Sequence, residues 1–160
     1  MVTRDTLLEI LESVKDPEIP TVSLVDLGVI YNIEIEESGV VHIQMTPTFA
    51  GCPALRFMQF EVERVLTEHG IAHRVEVNFE QAWSSNLVTD RGRERLKSFG
   101  LAPPPRFIGE PDLEKLLNKV PCPFCDSVNT DLRNPFGPTL CRSMHYCNDC
   151  RQMFEQFKPV

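Results

Sequence analysis

The sequence predicts an α+β protein made of a small two-layer α/β domain followed by a short cysteine-rich module. Two patterns indicate this. Up to about residue 100, apolar residues recur at helical spacing in some segments and alternate, as in strands, in others. In the last forty residues, four cysteines form two pairs with two residues inside each pair. With 160 residues and 42% hydrophobic content, the chain can build one ordinary domain and a small appendage.

The first element is predicted to be an amphipathic helix over residues 3–15. Its apolar stripe comprises Leu7, Leu11 and Val14. Thr3 is a suitable N-cap, and the dipeptide Asp16-Pro17 is expected to end the helix, because proline disfavours a helical residue before it.

A rigid acidic loop should follow, from Asp16 to Gly28. It carries three carboxylates, those of Asp16, Glu18 and Asp26. Two interpretations remain open: the acids provide turn and capping chemistry only, or the loop is functional.

A β-hairpin is predicted over residues 29–45, with a three-residue connection at 37–39. From Tyr31 onward one face of the first strand is apolar and the other polar. The apolar face comprises Tyr31, Ile33, Ile35, Val41, Ile43 and Met45. His42 falls on the polar face, and we expect it to be exposed.

A second helix is predicted at about residues 54–69, and Cys52 lies at or beside its N-cap if Pro53 takes the first helical position. The amide donors and positive dipole of a helix start favour thiolate over thiol. Cys52 is therefore a candidate reactive or metal-handling thiol; the alternative is a buried apolar cysteine. Phe57 and Phe60 lie outside the main apolar stripe and either widen the core face or mark a partner surface.

The rest of the first domain is predicted to contain a strand from Arg74 to Phe79 and a short helix from Asp90 to Phe99, capped by Thr89 and closed by Gly100. Pro103 to Pro105 form a stiff spacer. We therefore expect three parts: an α/β domain at 1–102, a proline-rich linker with a short helix at 103–120, and the cysteine-rich module at 121–160.

The cysteine-rich module is predicted to be a zinc ribbon. Its candidate ligands are Cys122, Cys125, Cys147 and Cys150, with 21 residues between the two pairs. Four thiolates close a tetrahedron, so the zinc should be structural. Disulfides or a redox dithiol are the alternative. Cys141 is not needed as a fifth zinc ligand, and it is either a small packed hydrophobic residue or a second reactive thiol.

Charge and composition restrict the function classes. The net charge is −7, and residues 1–100 carry the whole excess with 16 acids and 9 bases. A neutral ribbon and an acidic body disfavour nucleic-acid binding, which needs a basic face. No stretch approaches the length of a membrane span, and the start lacks a signal-peptide pattern. We therefore expect a cytoplasmic protein, since the thiols are spaced for metal.

Several motifs resemble known families. The segments Asp16-Pro17-Glu18-Ile19-Pro20, Val25 to Val29, and Thr46 to Ala54 resemble the small α/β domain of the iron–sulfur cluster targeting and assembly family, over residues 3–80. With the ribbon, Trp83 and the segment 136–141, the whole chain resembles PaaD-type subunits, which are encoded with the multicomponent phenylacetyl-CoA ring-epoxidase of aerobic phenylacetate breakdown. Pro138 and Arg142 depart from the pattern expected of that group.

The resemblance implies an accessory role in maturing an iron–sulfur or diiron centre, with oxygenase and iron–sulfur reductase subunits as partners and iron or a cluster bound transiently. Cys52 would be the working thiol, accompanied by Asp16, Glu18, Thr46 and Thr48, with Cys141 as a secondary candidate. The chain lacks Glu-x-x-His pairs, a glycine-rich dinucleotide turn and a plant-type cluster motif, so it is not expected to be the oxygenase or reductase itself. Homodimer formation stays open.

Two alternatives stand beside this role. The first is a thiol-dependent enzyme, in which Cys52 acts on a small substrate and needs a base or resolving thiol. The candidates by residue type are His42, His69, His73 and Cys141. The second is a scaffold without chemistry, which docks neighbours through Phe57, Phe60 and the ribbon.

Overall fold

The computed structural model describes residues 1–49 and 51–160. It confirms an α+β fold with two separate small sheets. The chain forms two compact units, Met1–Trp83 and Ser84–Val160. Within the described ranges, no helix combines the length and apolar character that a bilayer-spanning segment requires.

Helix α1 spans Arg4–Leu11, with Thr3 as the predicted N-cap accepting a hydrogen bond from the Thr6 amide. The helix is shorter than predicted, because Ser13 and Val14 form single-turn bonds to Ile10 and Leu11. The carbonyl of Val14 then accepts from Leu24 of the following loop instead of continuing the helix.

Strands β1 (Ile30–Ile35) and β2 (Val41–Met45) form the predicted antiparallel hairpin. A register shift between Ile30 and Asn32 places Ile30, not Tyr31, opposite Met45. The prediction was therefore wrong for Tyr31, which a bulge removes from the alternation. Ile33 and Ile35 stand opposite Ile43 and Val41, as the predicted apolar face requires. Ile33 is buried, whereas Ile35, at the end of the strand, is 40% exposed. On β2 the prediction is confirmed, since the three apolar side chains are fully buried.

Helix α2 (Leu55–Glu68) connects β2 to strand β3 (His73–Val77), which pairs parallel to β2. The sheet order is β1-β2-β3, so β2 is the central strand. This position explains why the expected exposure of His42 was wrong. It is only 7% exposed, and its Nε2 lies 2.9 Å from the Glu76 carboxylate on β3.

The helices pack one face each against this sheet. Phe57 and Phe60 of α2 are 52% and 58% exposed. The predicted apolar stripe of this helix is partly buried at Leu55 and buried at its other members, Met58, Val62, Val65 and Leu66. The large, fully buried side chains of the unit are Leu7, Leu11, Leu24, Leu27, Ile43, Met45 and Leu66. Loop residues Leu24 and Leu27 thus belong to the core, which fixes the acidic loop against the sheet.

The second unit begins with a 3₁₀ turn, Ser85–Leu87, and helix α3 (Asp90–Phe99). As predicted, the Thr89 side chain caps α3 and Gly100 ends it in a left-handed conformation. The short strand β4 (Leu101–Ala102) follows directly.

The remaining elements are helix α4 (Leu113–Leu116) and strands β5 (Thr130–Asn134), β6 (Arg142–Cys147) and β7 (Met153–Phe157). The sheet order is β4-β7-β6-β5, with β4 parallel to β7. Neither β4 nor β7 was predicted from the sequence.

The two units divide the chain earlier than the boundary at residue 103 that the sequence suggested. The pairing of β4 with β7 joins residues 101 and 102 to the C-terminal sheet. Ser85 adds a second link, because its amide donates to the Val160 carbonyl at 2.8 Å. Helix α3 and the proline stretch therefore belong to the unit that carries the four paired cysteines.

Candidate functional site

Four sulfurs converge in the second unit. The Sγ atoms of Cys122, Cys125, Cys147 and Cys150 all lie within 4.8 Å of one another. Cys122 and Cys150 are 3.7 Å apart, and Cys125 and Cys147 are 3.5 Å apart. A disulfide would need a sulfur–sulfur distance of about 2.05 Å. A tetrahedral site with metal–sulfur bonds of about 2.3 Å requires sulfur separations of about 3.8 Å. The donor set and its spacing therefore fit a four-coordinate metal and not a pair of disulfides.

The two cysteine pairs are built in the same way. In each, the amide of the first cysteine donates to the carbonyl five residues later, Cys122 to Ser127 and Cys147 to Gln152, both at 2.9 Å. The residue after the second cysteine has a left-handed backbone: Asp126 at φ 62° and Arg151 at φ 60°. This conformation is uncommon outside glycine and asparagine. Each pair is thus a tight knuckle that aims two sulfurs at one point.

Metal binding requires the thiolate form, and the surroundings favour it unequally among the four sulfurs. The backbone amides of Cys150 and Asp149 lower the pKa of Cys147 to about 7, whereas burial raises the pKa of Cys150 to about 12. The Asp149 side chain also joins the two halves of the ribbon, because it accepts hydrogen bonds from Ser127 and from Asn129. Cys122 and Cys147 are fully buried, and they pack with Phe154 and Val120 in a small apolar cluster.

A second candidate region lies at the border of the first sheet where β1 begins and β2 and β3 end; this border of strand ends is called the sheet edge. The bond between the Thr46 amide and the Val29 carbonyl, 2.8 Å, brings the start of β1 and the end of β2 together there. The Thr46 hydroxyl donates to the Gln81 carbonyl at 2.6 Å. The Trp83 indole donates to the Leu27 carbonyl at 2.9 Å. The acidic loop, the segment after β2 and the segment after β3 are therefore fastened at the same edge.

Cys52 belongs to the segment after β2, but it is not at the helix N-cap. Helix α2 begins at Leu55 with Ala54 as its N-cap, so the prediction that Pro53 takes the first helical position is wrong. The carbonyl of Cys52 accepts from the Leu55 amide at 3.3 Å, and this turn precedes the helix. Helix-dipole effects fall off within a turn. The helix start therefore no longer argues for a reactive thiol; what remains is a partly exposed sulfur at the sheet edge.

The other predicted companions of Cys52 have definite places. Asp16 is half-buried, and its carboxylate accepts from the amides of Glu18 at 2.8 Å and Ile19 at 3.1 Å. This is the turn chemistry that the sequence allowed. Glu18 is exposed, Thr48 is partly exposed and Thr46 is buried.

Asp26 is a functional candidate that the site prediction omitted. It is only 2% exposed, and its amide donates to the Ser23 hydroxyl at 3.0 Å. A buried carboxylate in a loop fastened at the Cys52 edge is unusual, because burial of a charge is costly unless it is stabilised. The signal in the sequence was its position between the buried apolar residues Leu24 and Leu27.

The histidines considered as bases lie at the opposite edge. His42 is the second residue of β2, and His73 is the first of β3, paired with Val41. His69 follows α2, whose 14 residues span about 21 Å from the Cys52 end. Topology therefore separates all three imidazoles from Cys52.

Cys141 lies in the second unit, just before β6. Its sulfur is 3.0 Å from the Thr139 hydroxyl, and its carbonyl accepts from the Lys158 amide at 2.8 Å. Its side chain is partly exposed, so it is not a fully packed hydrophobe. All six cysteines lie in the described part of the chain, and none of them forms a disulfide.

Comparisons with known proteins agree with this two-part architecture. A family model described as "Iron-sulfur cluster assembly protein" matches residues 4–79, and a model described as "PaaD zinc beta ribbon domain" matches residues 109–158. A protein of Escherichia coli K12 that is named as a putative component of 1,2-phenylacetyl-CoA epoxidase is 35% identical, over 94% of this chain and 90% of that protein.

Other relatives cover the first unit. An "Fe-S protein maturation auxiliary factor" of Porphyromonas gingivalis is 34% identical over 55% of this chain and 85% of its own length. The solved structure of a DUF59 domain from Bacillus anthracis is 29% identical with a TM-score of 0.53, and it covers 57% of this chain and 89% of that one.

Fold and matches together define an iron–sulfur cluster assembly domain joined to a zinc β-ribbon. The chain belongs to the PaaD family. Its relatives support an accessory role in assembling iron–sulfur or other metal centres.

Proposed function

We propose that this protein is an accessory factor of a multicomponent phenylacetyl-CoA epoxidase and assists maturation of the iron–sulfur or diiron centre in the reductase or oxygenase. The relative from Escherichia coli, named as part of that enzyme and matched over nearly the whole chain, supports this partner. The maturation factors that match the first unit support the activity.

The observation that carries the proposal is the place of Cys52. Four of the six cysteines are grouped in the ribbon cluster, which leaves Cys52 as the thiol of the assembly domain. It is partly exposed beside a helix that starts at the sheet edge to which the acidic loop is fastened. A partly exposed cysteine at the edge where the acidic loop is fastened can, once deprotonated, hold iron or a cluster as cargo for transfer.

The ribbon has a different task in this proposal. Cys122, Cys125, Cys147 and Cys150 would hold a structural zinc ion. Four thiolates leave no open position for water or substrate. The ion would thus stabilise the fold of the second unit, and the rigid unit would then bind partner proteins.

The test compares anaerobically purified wild type with Cys52→Ser and with Cys141→Ser as the matched control. Cys141 is also a partly exposed cysteine, but it belongs to the other unit. We expect about one zinc per chain in all three proteins. Iron and sulfide should be lost, and the cluster occupancy of a co-expressed reductase should fall, only in Cys52→Ser. Unchanged cluster occupancy and turnover in that variant would contradict the proposal.

A scaffold without chemistry is the second candidate, and one observation favours it. Phe57 and Phe60 are three positions apart on α2, so they share a side of the helix, and both are more than half exposed. Exposed neighbouring aromatics are typical of docking surfaces. If the scaffold role is correct, Phe57→Ser with Phe60→Ser abolishes co-purification with partner proteins, while Cys52→Ala keeps full function. The thiol-enzyme alternative loses support, because three of its four candidate groups lie at the opposite sheet edge.

A further inference from the structure

The second unit contains a cavity that the proposed function does not use. Its volume is about 480 Å³, within the range of pockets that hold small molecules. The proline stretch 103–105 forms one wall, and Pro121, Leu116 and Val120 form another. The stiff segment that looked like a linker in the sequence is therefore one side of a pocket.

The polar side chains around this cavity are predominantly basic. Arg93, Arg106, Lys115 and Lys119 line it, and no acidic side chain among the described residues does. This concentration of positive charge stands in a chain whose net charge is −7. A cavity with cations on apolar walls favours an anionic ligand that also has an organic part.

Three of the four cations have carboxylate partners outside the cavity. Arg106 lies 2.8 Å from Asp90, Lys115 3.3 Å from Asp112 and Lys119 3.8 Å from Asp131. These acids are exposed to solvent, by 91%, 52% and 49% respectively. Exposed pairs of this kind contribute little stability, so the cations can exchange them for a ligand.

Arg93 differs, because backbone carbonyls hold it instead of a carboxylate. Its guanidinium donates to the carbonyls of Pro104 and, at 2.9 Å, Ser85. Its Nε is buried and has no acceptor among the described residues. Burial, and then the charge of Arg106, lower the pKa of Arg93. An anion nearby would raise the pKa of Arg93 again, because it stabilises the charged guanidinium.

Gln156 provides an independent observation. It is fully buried on β7, lines the same cavity, and its amide nitrogen has no acceptor in the described part of the chain. Buried amide donors are almost always paired. Arg93 and Gln156 therefore offer two buried donors at one cavity that an anionic ligand could satisfy.

We propose that this cavity binds a small organic phosphate, whose phosphate lies at Arg93 and Arg106 and whose organic part packs on the prolines. Guanidinium groups match phosphate oxygens in a bidentate way. Nucleic acid is a poor fit, since its backbone requires an extended basic face and not a single pocket.

The test uses the full-length, zinc-loaded protein and isothermal titration calorimetry with ADP, and with adenosine and pyrophosphate as its separate halves. We expect saturable one-to-one binding of ADP, at least tenfold weaker binding of either half, and weakening at higher salt. Arg106→Gln and Lys119→Gln should each weaken ADP binding several-fold. Arg133→Gln is the matched control, because Arg133 is an exposed cation outside the cavity lining.

The proposal is overturned if the wild type shows no saturable ADP binding. It is also overturned if Arg133→Gln weakens ADP binding as much as Arg106→Gln and Lys119→Gln do. Pyrophosphate binding as tightly as ADP overturns the organic part, and adenosine binding as tightly overturns the phosphate part. Arg93→Gln is tested as well, with its circular dichroism melting curve to show that it folds. If it folds like the wild type, unchanged ADP affinity also contradicts the site.

Discussion

Removal of the metal from the ribbon should unfold the second unit and leave the first unit folded. For a unit of roughly 80 residues, the free energy of unfolding is expected to be about 4 to 12 kcal/mol. Structural zinc contributes about 10 to 16 kcal/mol of apparent binding free energy in small ribbon-like peptides. The metal contribution therefore matches or exceeds the whole stability of the unit. The local core makes the dependence stronger, because Cys122 and Cys147 are two of its five buried members.

The assay can separate the units, since the chain has one tryptophan and it lies in the first unit. The reduced protein is treated with a strong chelator, and metal loss is verified by mass spectrometry. We expect the amides of β5, β6 and β7 to lose their protection from hydrogen exchange. Trp83 is only 8% exposed, and its fluorescence should stay unchanged. Cys147→Ser should behave like the chelated protein and Cys141→Ser like the wild type. Protected amides in β5 to β7 after complete metal loss would refute the reasoning.

Two further predictions concern stability. Thr46→Val should lower the free energy of unfolding of the first unit by about 1 kcal/mol, because it removes the hydroxyl that donates to the carbonyl of Gln81, an exposed residue. Urea denaturation followed by Trp83 fluorescence measures this change. An unchanged denaturation midpoint would contradict the prediction. Gly100→Ala should destabilise the second unit by about 1 to 2 kcal/mol, since φ is 95° there. Gly39→Ala, at φ 85° in open space, should lower the free energy of unfolding by a similar amount, but in the first unit only. Circular dichroism melting curves of both variants measure this, and an unchanged melting curve would contradict the prediction.

The hairpin illustrates how far periodicity can be trusted. The alternation in β2 predicted its buried face correctly, because the strand is regular and central. In β1 the same reasoning failed at Tyr31, because a bulge between Ile30 and Asn32 shifts the period there and leaves no signature in residue type. His42 was misplaced for a related reason: alternation describes one sheet face, but it does not say what covers the other.

The region around Cys52 shows a second limit. Pro53 is a good first helical residue in general, but the bond from the Leu55 amide to the Cys52 carbonyl makes a separate turn before α2. Whether a proline opens the helix or precedes it depends on how the segment leaves the sheet edge. Tertiary packing sets that direction. The placement of the histidines likewise follows from the parallel pairing of β2 with β3, which a single sequence does not reveal.

Features that depend on neighbouring residues could be predicted from the sequence. These are the helix caps at Thr3 and Thr89, the left-handed end at Gly100, and the two cysteine knuckles, whose doubled spacing is typical of a zinc ribbon. Which distant segments meet became visible only in the folded chain. It joined β4 to β7, and it gathered Arg93, the prolines and Gln156 around one cavity. Local rules act through fixed covalent geometry, whereas long-range pairing is chosen by the burial of the whole chain, and no short stretch of sequence carries that information.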